Sequence, residues 1–113
     1  MFTRRVGDDY RTVASGIRMR TLCFGSATLM TEFRLLHGHS LPLHSHPHEQ
    51  TGYLVSGHIV LTIGGRAYDV VPGDSWCVLG GVEHGAEVLQ DSVAIEVFSP
   101  LREDYLPDGA TTA

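Results

Sequence analysis

Three histidines at every second position, His44, His46 and His48, stand in the stretch HSHPHEQ and run straight into Glu49 and Gln50. Neutral imidazole is the commonest protein metal ligand, so rings this close together either hold an ion or sit on a solvated loop. Alternate residues of a strand share a face, which lets His44 and His46 point at one place. A tight turn at Pro47 allows Gln50 to return toward the same point, and a further ligand must come from elsewhere. GVEHGAEV offers His84 behind its own glycine turn. His37, His39 and His58 fall outside this spacing and read as surface residues, while His48 and Glu49 read as turn residues rather than ligands.

Short strands are the elements that must position these groups. Turn signals stand at GS 25–26, GHS 38–40, SG 56–57, GG 64–65, PG 72–73, GG 80–81 and QDS 90–92. From Gly57 onward they recur every seven to ten residues, which predicts an all-β sandwich or barrel rather than βαβ units. The intervening segments alternate as strands do. Ile59, Leu61 and Ile63 share one face of HIVLTI, and Leu29, Thr31, Phe33 and Leu35 alternate with Thr28, Met30, Glu32 and Arg34. The first dozen residues and the tail after Pro100 read as non-strand, with a short helical turn around REDYL.

A chain of 113 residues reads as one domain, 1–113, with a core barrel over roughly 17–100. The net charge is -5 and the eight basic residues, all arginine, are dispersed, so nucleic acid is not an expected partner. The N-terminus lacks the apolar stretch of a signal peptide and the apolar runs are strand-sized, so neither export nor a membrane is expected. Cys23 and Cys77 carry no CxxC spacing and read as small buried hydrophobes in a cytoplasmic protein.

The spacing of these residues resembles the two motifs of the cupin superfamily. Gly38, His44, His46, Gln50 and Gly57 fall in register with the first motif, with glutamine in the glutamate slot. Gly73, Gly81 and His84 match the second, where Leu79 replaces a proline and Val88 an asparagine. The resemblance implies a double-stranded β-helix jelly-roll barrel. It also implies one divalent transition metal, Ni, Zn, Fe or Mn, held by His44, His46, Gln50 and His84. Four neutral ligands would leave the ion its full charge and one or two open positions for water or a substrate oxygen.

Alternation alone reads Val93, Ile95 and Val97 as core and Glu96 as solvent-facing. Taken together, however, HSHPHEQ, YLVSG, VEHG and EVFSPLREDYL resemble the pectin-degradation protein KdgF family over nearly the whole chain. That family is marked by glutamine in the fourth ligand slot and opens 4,5-unsaturated monouronates to linear 4-deoxy-5-keto uronates. Its catalytic pattern D-x-F-x-x-x-R falls on Glu96, Phe98 and Arg102, with Glu96 one methylene longer than the family's aspartate. The resemblance implies proton transfer by Glu96 and capture of the substrate carboxylate by Arg102. Phe98 and Tyr53 would wall the cavity. A sugar-acid substrate and a second copy of the chain are the expected partners, the homodimer using sheet edges in IRMRTLCF and ATLMTEFRLL. A metal-dependent cupin dioxygenase and a non-enzymatic cupin that binds a small ligand are the alternative functions. No DNA-binding helix-turn-helix accompanies the barrel.

Overall fold

A computed structural model describes residues 1–5 and 7–107. The strands are β1 (Arg11–Ala14), β2 (Ile17–Phe24), β3 (Leu29–Leu35), β4 (Ser40–His44), β5 (Glu49–Ile63), β6 (Arg66–Val70), β7 (Ser75–Val78) and β8 (His84–Ser99), followed by a 3-10 turn at Glu103–Tyr105. All pairings are antiparallel. This is the all-β jelly roll that the turn spacing and the motifs predict.

Two long strands organise it. β5 and β8 pair along most of their length, from Glu49 opposite Ser99 to Ile63 opposite His84. The first half of β8 lies between β4 and the second half of β5; its second half lies between β3 and the first half of β5. β7 and β6 cover the other side of β5, and β2 and β1 continue outward from β3. The inward faces meet in one cluster that includes Ile17, Met19, Leu29, Phe33, Leu54, Ile59, Leu61, Ala94 and Phe98. Among the described residues no helix is long and apolar enough to cross a membrane.

Both long strands bend at the same level. The β5–β8 register slips between Leu54 and Ile59, where Gly57 has φ +96°. A Cβ on Gly57 would overlap Ser92 Oγ and the backbone at 91–92, so the two strands approach this closely only over glycine. Ser92 Oγ accepts the His58 N–H at 3.0 Å and donates to the Gln90 carbonyl at 2.7 Å, which stitches the bend. SG 56–57 and QDS 90–92, expected as turns, are therefore kinks inside continuous strands. Gly57→Ala is expected to cost about 2–3 kcal/mol, from left-handed backbone strain plus the forced separation. A lower urea midpoint at unchanged slope would show it; an unchanged midpoint would contradict it.

The register corrects three further expectations. Cross-strand partners share a face. Thr31 pairs with Glu96, Phe33 with Ala94 and Leu29 with Phe98, so the inward face of β3 draws Ser92, Ala94, Glu96 and Phe98 inside. Val93, Ile95 and Val97 lie on the outer face, the reverse of the simple alternation reading. β3 is paired on both sides over its full length and so offers no free edge for a second copy. Cys77 is exposed and Cys23 only half-buried, and both are free thiols rather than core residues.

Candidate functional site

β4 ends at His44 and β8 begins at His84, and these two residues are cross-strand partners. Their rings lie 4.3 Å apart between centroids. His46 stands in the turn between β4 and β5. The Gly81 N–H donates to the His46 carbonyl at 2.8 Å, tying that turn to the one before β8. Gly81 makes this approach with φ +82°, a backbone that L side chains rarely adopt.

Each ring is oriented from behind by a backbone carbonyl. His44 Nδ1 faces the Pro42 carbonyl at 2.9 Å, His46 Nδ1 the His48 carbonyl at 3.0 Å, and His84 Nδ1 the Val82 carbonyl at 2.9 Å. A carbonyl only accepts, so Nδ1 carries the proton in His44 and His84 and Nε2 keeps its lone pair, while His46 meets an acceptor on each nitrogen. Ligand nitrogens of the three rings lie within 4.8 Å of one another. His84 Nε2 is buried without a hydrogen-bond partner among the described residues. Burial, reinforced by the positive charge of Arg102, holds His46 and His84 below the usual imidazole range and so keeps both rings neutral.

Gln50 completes the cluster. Its Nε2 donates to Glu96 Oε2 at 3.1 Å, which turns Oε1 toward His46 Nε2 at 2.8 Å. A neutral His46 has one proton for two acceptors, the His48 carbonyl and Gln50 Oε1, and burial disfavours a second; a cation at Nε2 relieves the pair left without one. The buried orphan nitrogen and this acceptor pair fit a divalent ion held by His44, His46, Gln50 and His84. Carbonyl-backed rings and a carboxylate-backed amide are the outer support such a site needs.

Glu96 sits directly behind the cluster, 9% exposed. Its Oε1 accepts from Trp76 Nε1 at 3.2 Å, and Thr31 Oγ1 anchors its carbonyl at 2.9 Å. Burial pushes the carboxyl up to about 8 against the opposing pull of the two N–H donors. A cavity of about 230 Å³ opens beside these groups and is lined by His44, Gln50, His84, Glu96, Phe98 and Arg102. The four expected ligands and Glu96, Phe98 and Arg102 all reach this one region, although His46 lines no part of the cavity and faces it through Gln50. Arg102 stacks 4.0 Å over the Tyr105 ring and is held by Asp104 at 2.9 Å.

Tyr53 does not wall the cavity: it is 48% exposed on the outer face of β5. Trp76, Tyr105 and Phe33, which the motifs do not mark, line it instead. Burial raises the Tyr105 hydroxyl above the usual phenol range, leaving it neutral and available as a donor. Gly52 was the available signal for Trp76, since glycine inside a strand marks a close approach.

A family model described as Cupin domain matches residues 31–99. Among solved structures, KdgF from Halomonas sp. is 30% identical, with a TM-score of 0.83 over 88% of this chain and 92% of its own. An RmlC-like cupin from Shewanella frigidimarina is 28% identical, with a TM-score of 0.83 over 87% of this chain and 88% of its own. The salicylate 1,2-dioxygenase from Pseudaminobacter salicylatoxidans is 16% identical, with a TM-score of 0.73 over 79% of this chain and 27% of its own; it shares the fold alone. No curated protein matches.

Proposed function

The chain belongs to the cupin family, and we propose that it opens the ring of 4,5-unsaturated monouronates to the linear 4-deoxy-5-keto form, the reaction its likeness to KdgF implies. The observation that carries this reading is Glu96: a buried carboxyl at the cavity wall, bonded to Gln50 and sharing the cavity with Phe98 and Arg102. Burying a carboxyl on this strand is costly, and such groups cluster at functional sites.

The reaction is an isomerisation. The anomeric hydroxyl loses its proton as the bond from C1 to the ring oxygen breaks, and the enol so released gains a proton on C4 as it becomes a ketone. Glu96 takes the first proton and returns one to carbon, so no atom is gained or lost. A value near 8 places both of its protonation states within reach of neutral pH. Arg102 presents a planar fork for the substrate's carboxylate, which would replace the exposed carboxylate of Asp104 that now occupies it. Phe98, 1% exposed, closes the wall beside Glu96 and keeps water from the carboxyl. A divalent ion bound by His44, His46, Gln50 and His84 would supply Lewis-acid polarisation of substrate oxygens.

Arg102→Ala is expected to raise KM for an unsaturated uronate by about tenfold or more, the scale of a lost charge-assisted hydrogen bond, with kcat changed far less. Steady-state kinetics under nitrogen test the reaction type at the same time. Ring opening consumes no oxygen and proceeds at full rate, whereas activity that appears only in air would favour the dioxygenase reading.

A further inference from the structure

We infer that Trp76 is the positioning residue for Glu96, reaching it across the bare backbone of Gly52; the inference rests on the role proposed above for Glu96. Gly52 pairs with Trp76 on one side and with Glu96 on the other, so the three stand in one row across β7, β5 and β8. The outer two strands of such a row are about 9–10 Å apart, two strand spacings, and a side chain on the middle strand would fill the space between. Gly52 leaves that space empty. A Cβ there would overlap the indole at Cε2 and Nε1, so the ring lies where the missing side chain would be. Trp76 Nε1 donates to Glu96 Oε1 at 3.2 Å while Gln50 Nε2 donates to Oε2 at 3.1 Å.

One donor on each oxygen fixes the plane of the carboxyl. Gln50 alone would leave it free to turn about its last torsion, which is broad and roughly two-fold. Glutamate has one more torsion than aspartate, and the second donor removes the freedom that the longer side chain brings. Trp76 and Leu61 also line a second cavity, of about 380 Å³. The indole therefore borders both spaces as well as holding the carboxyl.

Trp76 is the only tryptophan of the chain, so the emission comes from this indole alone. Two variants break the contact in different ways. Trp76→Phe keeps a ring and removes the donor. Gly52→Ala keeps the donor and displaces the ring, at no backbone cost because Gly52 lies outside the left-handed region. Each is expected to lower kcat for an unsaturated uronate by about tenfold to a hundredfold, the scale of one hydrogen bond to an ionised group, with KM within about twofold. Gly52→Ala should also move the emission of Trp76 to longer wavelength, and Glu96→Ala should alter it in the otherwise unchanged protein. An unchanged kcat in folded Trp76→Phe and Gly52→Ala would overturn the positioning role. So would emission indifferent to both Gly52→Ala and Glu96→Ala. If the unsubstituted protein turns over no uronate, the role of Glu96 falls, and the emission result alone decides whether Trp76 holds it.

Discussion

Glu96→Gln is expected to lower kcat for an unsaturated uronate by about a hundredfold to ten-thousandfold, the range that a positioned acid–base group supplies. The amide matches the carboxyl in shape, and its oxygen accepts from either Trp76 or Gln50, so one of the two hydrogen bonds survives. It carries no charge, so the desolvation that raises the carboxyl to about 8 disappears and the fold is not weakened by it. What it lacks is a proton that can leave and return. The loss should therefore fall on kcat rather than KM, with the unfolding midpoint and the metal content unchanged. A folded variant that kept its turnover would reduce Glu96 to an orienting partner of Gln50. A variant that lost its ion would show that orientation of Gln50 is its main task.

Removal of the metal is expected to have an effect as large, and it can be read without turnover. His84→Ala deletes the ring whose Nε2 is buried and unpartnered. Loss of a supporting group behind a ligand costs about 10–100-fold in affinity, and loss of the ligand itself should cost at least the upper end of that range. An ion that binds the folded chain and not the unfolded one stabilises it by about 2.7 kcal/mol at a hundred times its dissociation constant. Added Ni²⁺ or Zn²⁺ should therefore raise the thermal midpoint of the chelated protein and leave that of His84→Ala almost unmoved. Equal shifts in the two proteins would place the ion elsewhere.

The candidate metal cluster was legible in the sequence because local geometry sets it. His44, His46 and Gln50 lie within seven residues around one turn, and His84 follows a glycine turn that docks on it. Glu96 was harder. Both faces of β8 are apolar around it, with Val93, Ile95 and Val97 on one and Ala94 and Phe98 on the other, so alternation cannot orient the strand. Only pairing with β3, more than sixty positions away in the chain, decides which face turns in. Tyr53 was misplaced for a reason that parity does expose: Gln50, Gly52 and Leu54 face inward, so Tyr53 must face out. The bends at Gly57 and Ser92 looked like turns because the same residues serve both purposes. Trp76 and Tyr105 reach the cavity from β7 and the 3-10 turn, elements joined to the cluster only by tertiary pairing.

The most direct measurement is the rate at which the metal-loaded protein removes the ultraviolet absorbance of a 4,5-unsaturated uronate, set against the spontaneous opening of the same sugar in buffer. Catalysed ring opening predicts a rate that rises in proportion to protein concentration and collapses on chelation. A rate equal to the spontaneous background, in protein shown by elemental analysis to carry its ion, would contradict it and leave a cupin that binds its ligand unchanged.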